Sequence, residues 1–452
     1  MGLFDFIRGL FGSSPNHQVE QSGEQRDTTP GRSDPGVSET ASPTPQVEPR
    51  QSVSKRTQTH LPCSKRSPVK LQQLEYRPGI VRTPSEQEVS KQKPYRFASI
   101  GPRTGEYLNL SRDMDERWLE YFGLPQLATP DDLAQWLNLS IGKLAWLTHH
   151  TREGYRPKNE SDSHYHFQWK RKRSGGLRLI EAPKQELKNA QHQILHQILD
   201  SVPTHQAAHG FVRGRSILSN ASRHVGSKFI LKLDLENFYP SVKYSRIVAI
   251  FRSMGFSREV SLWLARLTTS APYWGLKAPE KNWEYWQLMQ RHLPQGAPTS
   301  PALANLSAFS LDVRLSGLAK AYNLKYSRYA DDLTFSGPGM SIPALNEFIP
   351  LTNKIISDER FYVNKKKRKI IRNSQRQCVT GVVVNEKVNV SRQDYDILKA
   401  ILHNCIKLGP QTQNRDDHPN FSDHLRGRIA HVMQLNPARG TKLLMVYDQI
   451  RW

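Results

Sequence analysis

The chain has 452 residues, which is enough for two or three domains with a substantial hydrophobic core. Its 64 lysines and arginines exceed its 41 aspartates and glutamates, and the formal net charge is +23. Such an excess favours a polyanionic partner, nucleic acid before an anionic membrane, although a ribosome-associated or merely basic protein would share it. Three cysteines in no disulfide or metal pattern (Cys63, Cys378 and Cys405) indicate a reducing, cytoplasmic location. No apolar run reaches the roughly 18–20 residues of a membrane-spanning helix.

The first hundred residues divide into two segments of different composition. Residues 1–12 carry apolar side chains at helical spacing. They predict an amphipathic segment that either attaches to a membrane or partner protein or folds back on its own chain. Residues 13–100 are rich in Ser, Thr, Gln and Pro and poor in large apolar side chains, so burial there cannot offset the entropy of ordering. We therefore expect a disordered basic linker before the ordered part of the chain.

Helix and strand patterns alternate through the rest of the chain. Residues 101–160 predict a helical module, either a DNA-reading helix-turn-helix or a packing module, which we favour because no dense basic face accompanies it. Helical patterns occupy residues 131–137, 141–147, 185–199, 244–268 and 301–322. Strand patterns occupy residues 165–169, 177–181 and 228–235.

Three aspartates stand at the ends of strand patterns. Asp234 ends a strand with apolar side chains on one face, and the tetrapeptide Tyr-Ala-Asp-Asp at 329–332 predicts a turn between two short strands. An Asp-Asp pair alone is more often ordinary turn chemistry. Together with Asp234, however, Asp331 and Asp332 provide carboxylates that can hold two Mg²⁺ ions beside an incoming triphosphate.

A loop at residues 293–301 lies between the two acidic elements. Ser300 followed by Pro301 is typical of a helix N-cap and first helical residue. Gly296 leaves space where another backbone or a base pair can come close.

These elements occur in the order found in reverse transcriptases, which the chain resembles over about residues 105–452. The Asp234 strand, the loop and the tetrapeptide match three palm motifs of that family. Residues 176–183 resemble its fingers strand, and residues 364–367 resemble its lysine-bearing motif. The resemblance implies an α+β right-hand polymerase whose palm is an antiparallel sheet flanked by helices, behind a disordered N-terminal tail. It implies fingers, palm and a helical thumb at residues 161–230, 231–381 and 382–452.

The resemblance also implies a role for each candidate site residue. Three aspartates would be catalytic and, with the Leu235 carbonyl, would hold two Mg²⁺ ions: Asp234, Asp331 and Asp332. Three side chains would contact the deoxynucleoside triphosphate: Arg178, Gln295 and Lys367. The Tyr239 ring would collide with a 2′-hydroxyl and so select deoxynucleotides, and RNA-dependent RNA polymerases usually lack this ring.

Within that family the chain most resembles the bacterial retron reverse transcriptases. Their Asn-Ala-x-x-His and Val-Thr-Gly elements are matched by Asn220, Ala221 and His224 and by Val379, Thr380 and Gly381. These residues are implied to bind RNA. Arg426 and Arg428 of the thumb are expected to do the same, unless they belong to a solvated basic face.

The implied function is reverse transcription of a cognate structured non-coding RNA, primed from an internal guanosine 2′-hydroxyl. The product would be branched, RNA-linked single-stranded DNA, and the system would act in anti-phage defence with an effector protein encoded nearby. A group II intron-like reverse transcriptase with a maturase role is a second possibility, but little chain follows residue 381 for a further domain. A non-catalytic RNA-binding scaffold is a third, and three intact aspartates argue against it.

The histidines 403, 418, 424 and 431 with Cys405 follow no standard zinc-ligand spacing, so we expect no zinc site there.

Overall fold

The structure is a computed structural model, and it describes residues 89–101, 105–149, 156–172, 175–277 and 283–452. The predictions for residues 1–12 and for the linker up to residue 88 lie outside these ranges. Within the ranges, no helix is long and apolar enough to cross a membrane.

Ordered structure begins before the predicted end of the linker. Strand β1 (Val89–Ser90) pairs with β2 (Tyr107–Leu108). The buried Tyr95 hydroxyl donates to Glu259 over 3.1 Å and accepts from the Leu110 amide over 3.2 Å. The linker prediction is therefore wrong for residues 89–100, because one tyrosine ties them to a helix more than 150 positions away in sequence.

Three short helices follow, and the second and third confirm the patterns at 131–137 and 141–147. They are α1 (Glu116–Phe122), α2 (Pro130–Trp136) and α3 (Ile141–Thr148). A capping box begins α2, since the Asp132 amide donates to Thr129 Oγ1 and the Thr129 amide donates to the Asp132 carboxylate. Helices α2 and α3 both contact α8 (Arg258–Thr268), and they bury Leu133 and Leu144 completely. This is the geometry of a packing module.

An antiparallel strand pair precedes the central sheet, as its sequence predicts. Strand β3 (Tyr165–Arg171) pairs with β4 (Leu177–Pro183), with Tyr165 opposite Pro183 and Arg171 opposite Leu177. The predicted helix after it is α4 (Gln185–Gln197).

The central sheet has four antiparallel strands in the order β6-β7-β5-β8. They are β5 (Phe229–Asp234), β6 (Lys325–Tyr329), β7 (Asp332–Gly337) and β8 (Lys369–Arg372). Because β5 begins at Phe229, the boundary expected between residues 230 and 231 falls inside a strand and belongs before residue 229. Leu231 and Leu233 face the main hydrophobic cluster, whereas Ile230 faces a second cluster on the other side. The sheet is therefore covered on both faces.

Helices around the sheet break where the sequence predicted continuous patterns. The remaining helices before the C-terminal region are α5 (Ile217–Ser222), α6 (Phe238–Ser241), α7 (Tyr244–Ser253), α9 (Trp283–Met289), α10 (Ser300–Ser307), α11 (Phe309–Ala321) and α12 (Ile342–Asp358). The pattern at 244–268 divides into α7 and α8, and the pattern at 301–322 divides at Ala308. Thr299 occupies the N-cap position expected for Ser300, whose hydroxyl instead donates to the Pro294 carbonyl over 2.6 Å.

The C-terminal region is a layer of helices built on the second cluster. Its elements are β9 (Cys378–Val379), β10 (Val382–Val383), α13 (Arg392–Leu408), α14 (Phe421–Leu435) and α15 (Pro437–Tyr447). Short 3₁₀ helices lie at Leu199–Ser201, Lys365–Lys367 and Pro410–Thr412. Ala221 and Ile230 join the second cluster, so this layer shares its core with the central sheet.

Gly440 of α15 tests how closely α14 and α15 pack. A Cβ atom at Gly440 would lie 2.4 Å from the Cα atom of Met433, whereas one at Gly427 of α14 would meet nothing within 4 Å. We expect Gly440→Ala to lower the free energy of unfolding by about 1–3 kcal/mol or more. Gly427→Ala, the control, should raise it by about 1 kcal/mol because alanine is the better helix former. Urea denaturation of both variants measures the difference, and equal stabilities would contradict this packing.

Candidate active site

The central sheet brings the three predicted aspartates to one end. Asp234, the last residue of β5, is the direct cross-strand partner of Asp332, the first residue of β7. Asp331 lies in the turn between β6 and β7, after Ala330 with a left-handed φ of 54°. The Leu235 amide donates to the Asp331 carbonyl over 2.9 Å, which fixes the turn against the end of β5.

Burial and neighbouring charges raise the pKa of Asp331 and Asp332. Burial, followed by the charges of Asp234 and Asp332, raises the pKa of Asp331 to about 6. Burial also raises the pKa of Asp332 above its ordinary value. Negative charge at this end of the sheet is therefore incompletely neutralised, and a cation would be stabilised there.

Lys367 already places a positive charge on Asp234. Its Nζ atom lies 3.0 Å from each oxygen of the Asp234 carboxylate, and Asp234 is also held by the Asn364 amide, which donates to its carbonyl over 2.8 Å. The ammonium group shows that a cation fits beside this carboxylate, where a metal ion could also bind. Among the described residues no group of three or more His, Cys, Asp or Glu side chains forms a ready metal cage. Mg²⁺ tolerates this, since it uses one or two carboxylates together with substrate phosphates and water.

The predicted nucleotide contacts lie on elements that meet beside the aspartates. Burial and then the Asp331 charge raise the pKa of Tyr239 on α6 to about 12. The charges of Arg328 and Arg178 oppose this rise. Gln295 is joined to the Arg178 strand, because its carbonyl accepts from the Glu181 amide over 2.9 Å. Behind them Glu181 and His292 form a fully buried pair at 2.8 Å. This pair ties β4 to the loop at 293–301.

Arg328 is the principal site residue that sequence reasoning missed. It is fully buried, and it donates to both carboxylate oxygens of Asp312 at 2.8 and 2.6 Å. Its third nitrogen donates to Asn305 Oδ1 and to the Ala330 carbonyl, over 2.9 and 3.1 Å. The available signal was weak, because β6 reads Lys-Tyr-Ser-Arg-Tyr and its arginine requires a buried partner only if the strand itself is buried.

Asn305 and Gly210 extend this network to a neighbouring segment. Asn305 donates to the Gly210 carbonyl over 2.9 Å. The chain beside Gly210 pairs with β6, since the His209 amide donates to the Arg328 carbonyl over 2.7 Å. A Cβ atom at position 210 would lie 2.7 Å from the Ala330 nitrogen, so the turn between β6 and β7 requires glycine there.

The two retron-type elements contact each other behind the β6–β7 hairpin. His224 is fully buried, with Nδ1 2.7 Å from Ser336 Oγ on β7 and Nε2 2.6 Å from Ser327 Oγ on β6. The side-chain amide of Asn220 donates to Thr380 Oγ1 over 3.5 Å. These elements therefore join the C-terminal layer to the hairpin.

Burial separates the predicted RNA-binding residues into two groups. Four have almost no exposed surface and offer none to an RNA in this structure: Asn220, Ala221, His224 and Val379. Thr380 is half-buried and Gly381 and Arg426 are exposed, while Gly381 and Arg428 line one cleft beside α13 and α14. Direct RNA contact thus stays a prediction for the accessible residues, because the buried ones hold the elements together instead.

An antiparallel sheet that presents aspartates on adjacent strand ends is an arrangement suited to metal-dependent nucleotidyl transfer. Residues 170–401 match the reverse transcriptase (RNA-dependent DNA polymerase) family. The retron Mx65 and Mx162 reverse transcriptases of Myxococcus xanthus are 39% and 35% identical to this chain. The matches span 73% and 71% of it, and 73% and 67% of those proteins. The retron Ec86 reverse transcriptase of Escherichia coli is 31% identical over 77% of this chain and 95% of that protein.

The chain therefore belongs to the reverse transcriptase family, with retron reverse transcriptases as its relatives, and is an RNA-directed DNA polymerase. The resemblance noted from the motifs is confirmed. Members of the family generally use divalent metal ions. Among solved structures, a telomerase from Candida albicans in complex with a fragment of telomeric RNA covers 62% of this chain and 56% of its own at 12% identity, with a TM-score of only 0.37.

His224 makes stability depend on pH. Burial lowers its pKa to about 3, so the folded protein keeps the ring neutral where the unfolded chain, with a histidine pKa of about 6.5, takes up a proton. Stability should therefore fall as pH drops below about 6.5, by about 1.4 kcal/mol per pH unit from this residue. Denaturation between pH 7.5 and 5 should show a shallower slope for His224→Asn than for the wild type, with His196→Asn on the surface as control. Equal slopes would contradict this assignment.

Proposed function

We propose that this reverse transcriptase copies a cognate structured non-coding RNA, starting from the 2′-hydroxyl of an internal guanosine. The product is branched, with single-stranded DNA joined to the RNA. Identity of 31–39% with retron reverse transcriptases over most of the chain supports the proposal. The observation that carries the catalytic part is the cross-strand pair of Asp234 and Asp332 beside Asp331.

The proposal assigns the regions of the chain to the parts of a right-hand polymerase. The strand pair β3–β4 and the chain to residue 228 are the fingers, and the central sheet with its helices is the palm. Residues 382–452 are the thumb, where Arg426 and Arg428 would contact duplex phosphates without reading bases. Anti-phage defence with an effector protein encoded nearby, and a cytoplasmic location, belong to the same proposal.

We assign two Mg²⁺ ions to Asp234, Asp331 and Asp332, with the Leu235 carbonyl as a further ligand. The position of the Lys367 ammonium on Asp234 and the raised pKa of Asp331 both fit a cation at this place. When bound, the ions activate the attacking hydroxyl and neutralise charge on the triphosphate.

Three side chains of the protein complete the reaction site. Arg178 and Gln295, held together by the bond between Gln295 and β4, orient the triphosphate and the incoming nucleotide. Lys367, once released from Asp234, can donate a proton to the leaving pyrophosphate. Each of these roles places a donor where negative charge increases during transfer.

The product distinguishes this function from its alternatives. The purified protein with Mg²⁺, deoxynucleotides and the RNA encoded beside its gene should make DNA covalently joined to that RNA, and sequencing across the junction should locate the guanosine. A double variant, Asp331→Asn with Asp332→Asn, should lose synthesis by at least about 10³-fold, because the metals lose their ligands. If the wild type made no more DNA than the double variant, the enzyme function would be refuted and the non-catalytic RNA-binding scaffold would remain. Extension only from an added 3′-hydroxyl primer would favour the intron-like enzyme.

Tyr239 is expected to select deoxynucleotides by its volume. Tyr239→Ala should raise the kcat/KM for a ribonucleotide relative to its deoxynucleotide by roughly 10- to 100-fold, as the space for a 2′-hydroxyl opens. Tyr239→Phe keeps the ring and is the matched control, so it should retain the wild-type ratio. Single-nucleotide extension assays with paired nucleotides measure both, and an unchanged ratio in Tyr239→Ala would refute the selection role.

A further inference from the structure

Phe211 is held in a conformation that a bulky side chain rarely adopts. Its φ is 58°, in the left-handed region, and 60% of the residue is exposed to solvent. An exposed aromatic ring does not stabilise the fold by burial, and a left-handed backbone is unfavourable for phenylalanine. Strained residues of this kind persist where the surrounding structure fixes them, and they cluster at functional sites.

The surrounding structure fixes Phe211 through its neighbour in sequence. Gly210 lies against the Ala330 nitrogen, and the Gly210 carbonyl is held by Asn305 of the Arg328 network. The same contacts therefore determine both the catalytic turn and the position of the Phe211 ring. As a result Phe211 and Tyr329 lie with ring centroids 6.2 Å apart and ring planes inclined at 42°.

These two rings, which we call the aromatic ledge, stand next to the catalytic turn. Tyr329 is half-buried and precedes Asp331 by two positions. Arg213, two residues after Phe211, is exposed and adds positive charge on the same segment. A surface that combines apolar rings with a cation matches nucleic acid, whose bases and sugars contact aromatic faces while phosphates contact arginine.

We infer that the aromatic ledge holds the template–primer duplex at the primer end, with Phe211 as the anchoring ring. The inference relies on the proposed catalytic role of Asp331, because that role puts the primer end beside the ledge. Arg213 contributes a phosphate contact on the flank. The left-handed residue Phe211 thus presents a ring that is largely exposed and lies beside Tyr329.

Binding of an RNA template annealed to a DNA primer with a free 3′-hydroxyl tests the ledge directly. Without nucleotides, fluorescence anisotropy should show that Phe211→Asn raises the Kd by about tenfold, within the roughly five- to 150-fold expected for one aromatic–base contact. Asparagine tolerates the left-handed region, so the variant should unfold at the same temperature as the wild type or higher. Phe211→Tyr keeps the ring and should retain the affinity. Tyr121→Ala removes an equally exposed ring far from this turn in sequence and should not change it.

Kinetics separate positioning from general damage. At saturating duplex, Phe211→Asn should keep the wild-type KM for deoxynucleotides, because the ledge touches the duplex and not the nucleotide. Wild-type affinity in Phe211→Asn, or equal losses in Phe211→Asn and Phe211→Tyr, would overturn the inference. Asp331→Asn should bind the duplex normally but not extend it. Full extension by that variant would instead refute the proposed catalytic site, so the two failures are distinguishable.

Discussion

The fully buried ion pair between Arg328 and Asp312 is the interaction on which the aspartate-bearing end of the sheet depends. Two parallel hydrogen bonds join the guanidinium to the carboxylate, and Tyr326 donates a third to Asp312 over 2.8 Å. Removing water from both charges costs about as much as their attraction returns, so the pair adds little net stability. What it provides is position: one guanidinium holds β6, α10, α11 and the carbonyl of Ala330 together. Loss of one partner would leave the other charge buried, at a cost of about 3–5 kcal/mol.

A second set of contacts holds the same hairpin from behind. His224 lies between serines of β6 and β7, while its neighbour Ala221 packs in the second hydrophobic cluster with Val379. The β6–β7 hairpin is thus fixed on one side by Arg328 and on the other by the retron-type elements. Ile230 of β5 packs in that same cluster. Movement of the C-terminal layer would therefore displace the strand that ends in Asp234.

Local patterns in the sequence were enough to predict the elements that carry the aspartates. Alternating side chains in β5 and turn chemistry at 329–332 depend only on neighbouring residues, and the structure confirms both. Contacts between distant residues could not be read in this way. Tyr95 and Glu259 are 164 positions apart, and nothing in the polar segment around Tyr95 indicates a partner. The burial of His224 was missed for a different reason: the resemblance implies that its motif binds RNA, whereas Asn220, Ala221 and His224 are all buried.

Charge acts in opposite directions at two scales in this molecule. The chain as a whole carries a net charge of +23. This charge attracts RNA over long distances, most strongly at low ionic strength. At the end of the sheet the sign reverses because three aspartates meet there, and burial with the charges of Asp234 and Asp332 raises the pKa of Asp331 to about 6. A polyanion approaching such a site would be repelled at the last few ångströms unless cations were present. Lys367 at Asp234 supplies one positive charge, and the remaining negative charge fits the divalent metal ions that the reverse transcriptase family generally uses.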